Sequence, residues 1–178
     1  MSKVYLISER TLKGFVVAEN LDSAYLNPAI SEAQDIHLQQ IIGTKLLNKI
    51  EDLVADGSIQ NENAYKLLLD EYITPYLQYK TVASLVIPLA YKERNAGVVQ
   101  TNNEYVYNTG LKDANFLRGY YSDKADFYSI RLTNYIRANS SDYPEYFNSS
   151  DYPGYFNYCA CSGDVIASKL TDCQIYLG

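Results

Sequence analysis

The strongest constraint on this chain is the spacing of its apolar residues. Leu38, Ile42, Leu46, Ile50 and Leu53 recur every three or four positions, the period of one face of an α-helix. Ser31 ahead of them, with Gln34 three residues on, reads as an N-cap completed by a capping box. Asp56-Gly57 stops the helix. A second start signal lies at Asn61, and the stripe Tyr65, Leu68, Leu69 and Tyr72 leads to Thr74-Pro75. The pattern resumes in register at Tyr76, Tyr79, Ala83, Val86 and Ala90. A proline in the first turn of a helix lacks only an N–H that would be unpaired anyway. Two collinear or kinked helices are therefore expected, with Pro88 bending or shortening the second and Gly97 marking its end. A further helix over about 112–138 places Leu117, Tyr121, Ala125, Tyr128, Leu132 and Ile136 on one face. Gly119 weakens its first half by about 1 kcal/mol relative to alanine. With short connections these stripes predict a mainly α fold, an antiparallel bundle of about four helices.

Three segments depart from that pattern. Residues 1–30 read as an extended arm, with Val4, Leu6 and Phe15-Val16-Val17 as strand candidates and Asn27-Pro28 closing the segment. Residues 98–110, beginning Val98-Val99-Gln100, are too β-branched and Asn-rich for a helix and read as a loop or hairpin arm. Lys169–Leu177 alternates as a strand would and could pair with the N-terminal arm. The organisation expected is an arm at 1–30, a helical domain at 31–139 carrying the 98–110 arm, and a tail at 140–178.

The tail holds a tandem repeat. Residues 140–148, Ser-Ser-Asp-Tyr-Pro-Glu-Tyr-Phe-Asn, are followed at once by residues 149–157, and the copies differ only at Glu145 and Gly154. Two units are too few for a solenoid. Each Asp-Tyr-Pro step predicts a turn, with the tyrosine before proline held extended. The expectation is a duplicated surface loop presenting Tyr143, Tyr146, Tyr152, Tyr155, Phe147 and Phe156; the plainer alternative is a duplication that merely lengthens a loop.

Length and composition narrow the classes. With 178 residues, 47% of them apolar and 20% charged, the chain is globular and of about one domain. No run approaches the ~20 apolar residues of a membrane span, and Val4–Ile7 is too short for a signal peptide, so neither a membrane nor secretion is expected. A formal charge of −6 argues against a reader of duplex DNA, which draws its affinity from Lys and Arg on phosphates. Acidity concentrates in the tail, where Asp142, Glu145, Asp151, Asp164 and Asp172 face Lys169 alone. The 19 tyrosines, against no tryptophan, suit either core packing or a surface buried on a partner, since the ring is apolar and its tip polar.

Catalytic patterns are sparse. His37, the one histidine, sits among helix residues and reads as a surface or half-buried group rather than a base. Cys159, Cys161 and Cys173 with His37 have the residue types of a Cys₃His zinc site, but Cys-x-Cys lacks a second close pair; reduced thiols are the simpler expectation. Glu51-Asp52 and Asp70-Glu71 are adjacent on helices and so splay about 100° apart, as a solvated face requires. Asn139-Ser140-Ser141 and Asn148-Ser149-Ser150 match glycosylation sequons but matter only in a secreted chain. Phosphate loops and nucleophile elbows do not occur. Neither an enzyme, a cofactor nor a metal is expected.

Four segments in order carry a family resemblance: Ser31-Glu32-Ala33-Gln34, Tyr72-Ile73-Thr74-Pro75-Tyr76-Leu77, Asn95-Ala96-Gly97-Val98-Val99-Gln100 and Tyr143-Pro144-Glu145-Tyr146. Together, over roughly residues 31–147, they resemble the head–tail connector (adaptor or neck ring) proteins of tailed bacteriophages, in particular those of crAss-like phages of Bacteroides. The nine-residue duplication and the Cys-bearing tail are not part of that pattern. The resemblance implies a homo-oligomeric ring, usually dodecameric, between the portal protein and the next tail or neck protein. It also implies a place at the virion neck after assembly in the host cytoplasm, and no catalytic site. An acidic wall suits a DNA conduit, because it repels phosphates. A heterologous ring needs two different adhesive faces per subunit; the expected contact residues are Val99, Asn102, Tyr105, Tyr107, Tyr121, Tyr128, Tyr143 and Tyr152. The competing expectation is an intracellular module that grips a protein or carbohydrate with its tyrosine-rich tail.

Overall fold

The second apolar stripe forms the centre of the molecule. The computed structural model describes residues 3–15, 22–94, 97–100 and 111–147, and in them four major helices, α2, α3, α5 and α6, pack together. Ahead of them, α1 (Glu9–Phe15) is opened by Ser8, whose Oγ accepts from the Thr11 N–H at 3.1 Å. Next, α2 spans Ser23–Glu32 and is capped by Asp22, whose carboxylate accepts from the Ala24 N–H at 3.0 Å. A widened π turn (Ala33–Leu38) joins α2 to α3, Gln39–Ala55.

These facts correct the reading of residues 1–30 as an extended arm. Helices occupy 9–15 and 23–32, and Pro28 lies inside α2 instead of ending it. Among the described residues of this stretch, residues 3–8 and Asp22 are non-helical. Ser31 is no N-cap, and Gln34 is buried inside the run. The competing signal was Asp22, a better-placed cap one full helix earlier.

Asp56-Gly57 ends α3 as expected. Gly57 adopts a left-handed φ of 76°, the conformation a helix C-terminus favours and glycine tolerates. Within α3, Gly43 takes φ 75° and ψ 162°, a region essentially reserved for glycine, and the helix kinks there.

After a 3-10 turn (Ser58–Asn61), α4 (Asn63–Leu68) continues through a second π turn (Leu69–Ile73) into α5, Thr74–Ala90. The two helices expected to meet at Thr74-Pro75 do so, joined by this widened turn. Pro75 brings no N–H and crowds the carbonyl four residues back, and a π turn just before it relieves both. Leu68, Ile73, Tyr76, Leu77, Thr81, Val82 and Leu85 are all buried, so α5 is covered by α2 on one side and α6 on another. It ends at Ala90, two residues after Pro88 and short of the expected Gly97.

Backbone pairing then joins β1 (Tyr91–Arg94) to β2 (Gly97–Gln100) antiparallel, with Lys92 opposite Val99. The long helix α6 spans Leu111–Ala138 and buries Ala114, Ala125, Leu132 and Ile136. It runs antiparallel to α5, since Tyr72 meets Tyr135 and Tyr79 meets Tyr128. A 3-10 turn (Ser140–Asp142) and the short α7 (Pro144–Phe147) fold back onto α3. The boundary drawn after residue 139 therefore falls inside the packed unit. The strand expected at 169–177, the cysteines and the second repeat copy lie outside the described residues.

Candidate functional site

The tyrosines line up first within the chain. Tyr65, Tyr72 and Tyr79 recur at seven-residue intervals on α4, the π turn after it and α5, and Tyr121, Tyr128 and Tyr135 do so on α6. Facing helices with that period bring like positions together. Tyr72 stacks on Tyr135 with ring centres 4.0 Å apart, and Tyr79 on Tyr128 at 5.3 Å. Phe15 of α1 meets Tyr79 edge-on at 4.8 Å. The Arg131 guanidinium lies over both Tyr72 and Tyr128, at 4.8 and 6.0 Å, and Lys124 lies over Tyr79 and Tyr120, at 5.7 and 4.7 Å. Such contacts add about 0.5–1 kcal/mol each at exposed sites.

The ladder continues into the first repeat copy. Tyr143 and Tyr146 are buried. The Tyr143 hydroxyl donates to the Ala64 carbonyl at 2.9 Å, and its ring meets Tyr65 edge-on at 5.6 Å. The Tyr65 hydroxyl donates to the Glu145 carboxylate at 2.8 Å. Burial pushes the phenols of Tyr65 and Tyr143 well above their ordinary range. Tyr143, expected as a contact residue, is instead core, because its hydroxyl finds a carbonyl inside the fold. The reading of 140–148 as a loop presenting its tyrosines is corrected for the same reason.

The other expected contact residues fare differently. Tyr128 is half-buried under Tyr79, and Tyr121 is half-buried with its ring edge-on to Tyr120 at 5.4 Å. Val99 lies on β2 opposite Lys92. Asn102, Tyr105, Tyr107 and Tyr152 lie outside the described residues.

What faces solvent on α6 is a second stripe. Phe116, Tyr120, Phe127 and Ile130 are 79, 50, 63 and 62% exposed. At 100° per residue they cluster on the side of the helix opposite Ala125, Leu132 and Ile136. Their spacing, with Asp123 and Asn134 completing the row, alternates four and three residues, the pattern of a helix-packing seam. An open hollow at its edge is lined by Tyr79, Tyr120, Asp123, Lys124, Phe127 and Tyr128. The stripe was readable in the sequence as a second helical periodicity, but the tyrosines of the buried face masked it.

Several titratable groups among the described residues sit in structural pairs. His37 Nε2 lies 3.8 Å from Glu32 Oε1; burial, with Lys80 nearby, holds its pKa below the ordinary value against the opposing pull of Glu32. Glu51 accepts from Gln34, and Asp70 pairs with Lys66 one turn away. Among the described residues no three His, Cys, Asp or Glu side chains converge as metal ligands, and no helix is long and apolar enough to cross a membrane.

Residues 38–156 match the family model of DUF6712, described as a family of unknown function. The chain belongs to this family. The DUF6712 match runs from the end of the π turn before α3 through both helices of the tyrosine ladder, the first repeat copy and eight residues of the second, whereas α1 and α2 lie outside it. No curated protein and no solved structure matches the chain.

Proposed function

We propose that this DUF6712 protein is a structural ring protein of the tailed-phage head–tail junction. Subunits pack side by side below the portal, join it to the next neck or tail protein and line the channel through which DNA passes. The observation that carries this reading is the two-sided α6. One apolar face closes the core, and the opposite face, some 14 residues or roughly 21 Å long, is left open. Large apolar side chains exposed in one row of a folded domain, here interrupted by Asp123, suit a protein-contact surface. The seam spacing fits a helix of another subunit, and the 98–110 arm, which leads into α6, is the proposed second contact of a heterologous ring. The acidic balance of the chain suits a conduit that DNA must not grip.

Under this reading the protein works by geometry, without chemistry. It assembles in the host cytoplasm and resides at the virion neck. Counting copies in purified particles tests it. A fixed, low copy number equal to that of the portal, retained when tails are sheared off, is the expected result. Absence from particles discards the reading. The rival module reading loses Tyr143 and Tyr146 as gripping residues, because both rings are buried within the fold.

A further inference from the structure

The nine-residue repeat acquires a physical meaning once the seat of its first copy is seen. Residues 140–147 fold as a 3-10 turn and a short helix in a cleft walled by α3, α4 and α6. Tyr143 and Tyr146 fill it, Ala64 accepts from the Tyr143 hydroxyl, Tyr65 packs against the Tyr143 ring, and Tyr65 donates to Glu145. The second copy supplies every one of these side chains except one. Tyr152, Pro153 and Tyr155 stand where Tyr143, Pro144 and Tyr146 do, and Gly154 replaces Glu145.

We propose that this cleft is a peptide-binding site with two ligands in the same chain, and that residues 149–157 take the place of residues 140–148 when the first copy is withdrawn. The single difference sets the order of preference. Gly154 offers no carboxylate to the Tyr65 hydroxyl and has more backbone freedom to lose on docking, so the first copy holds the seat and the second is the weaker substitute. Exchange frees the first copy as slack between α6 and the docked segment. Ten residues separate Ala138 from Ser149, enough to span about 33 Å extended, and the entropy of closing such a loop grows only slowly with its length. The device lets α6 and the tail separate without opening the core to water. It does not depend on the ring reading.

Four variants test it by thermal melting: deletion of 149–157, deletion of 140–148, and Tyr143→Ala with Tyr146→Ala in the full chain and in the chain lacking 149–157. Deleting 140–148 brings the second copy directly behind α6. That chain is expected to melt cooperatively, a few degrees below the chain that keeps only the first copy. The double substitution is expected to cost far less melting temperature with the second copy present than without it. In the doubly substituted full chain, amide exchange is expected to show protection transferred from 140–148 to 149–157. An unfolded 140–148 deletion, or a double variant equally damaged with and without residues 149–157, overturns the proposal.

Discussion

The Gln34 side chain is hydrogen-bonded to the backbone of Leu6, far from it in the sequence. The Gln34 side-chain oxygen accepts from the Leu6 N–H at 3.0 Å, while its nitrogen donates to the Val4 carbonyl at 2.9 Å. Val4 C=O and Leu6 N–H flank Tyr5, and one buried amide satisfies both. The same nitrogen also donates to Glu51 on α3. Leu6 and Ile7 are thereby held in the core. Replacing Gln34 by leucine leaves two backbone groups unpaired beside a buried residue. The expected loss is about 2 kcal/mol in urea unfolding, with faster amide exchange at Leu6 as the local signature.

Two glycines on different helices respond oppositely to alanine. Gly43 holds φ 75° and ψ 162°, so Gly43→Ala is expected to destabilise by roughly 1–3 kcal/mol or to straighten the kink. Gly119 lies within α6, and nothing lies within 4 Å of a Cβ added there. Gly119→Ala is expected to stabilise by about 1 kcal/mol. Thermal melts of the two single variants decide both.

Thr81, on the buried face of α5, is fully buried, and its hydroxyl has no hydrogen-bond partner. Thr81→Val replaces that hydroxyl with a methyl group of similar size. The desolvation cost disappears, and a gain of about 1 kcal/mol is expected in chemical denaturation. A loss of stability would show that the hydroxyl is satisfied in solution.

The buried phenols make the fold sensitive to alkali. Burial raises the pKa of Tyr65, Tyr76 and Tyr143 above the ordinary value of 10.0. Below that pH the folded and unfolded chains both keep these protons, and the contribution is constant. Above it the unfolded chain releases them first, so stability falls as pH rises. Tyrosinate absorbance from these three rings is expected to appear only as the fold opens. Their ionisation ahead of unfolding would contradict their burial.

Charge on the outer face of α6 tests the proposed ring contact without touching the core. Phe127→Glu with Ile130→Glu changes only exposed side chains, so unfolding free energy is expected to move by about 0.5 kcal/mol or less. Incorporation into particles is expected to be lost. Normal incorporation of the double variant removes this face from the proposed contacts.

Much of the helical layout was legible because its signals are local. The stripe from Leu38 to Leu53 and the stop at Asp56-Gly57 depend on residues within a few turns of one another, as does the Leu132–Ile136 face. The start of the first long helix was misplaced because Ser31 and Gln34 imitate a capping box, while the working cap, Asp22, precedes a proline that suggested a break. Two helices meeting at Thr74-Pro75 were legible, with the proline in the first turn of the second; the π turn that joins them was not.

By itself the sequence determined the helical stripes from Leu38 to Ile136, though not α1 and α2, and that two of those stripes carry tyrosines seven residues apart. It also specified that a nine-residue unit occurs twice. Only the tertiary structure decided which aromatic rings are core and which are surface. Tyr143 is buried because Ala64 and Tyr65, some eighty residues earlier, stand across from it, and Phe127 is exposed because α5 already covers the other side of α6. Burial is a property of pairs distant along the chain, and periodicity within one helix tells which residues share a face without telling which face the rest of the molecule will cover.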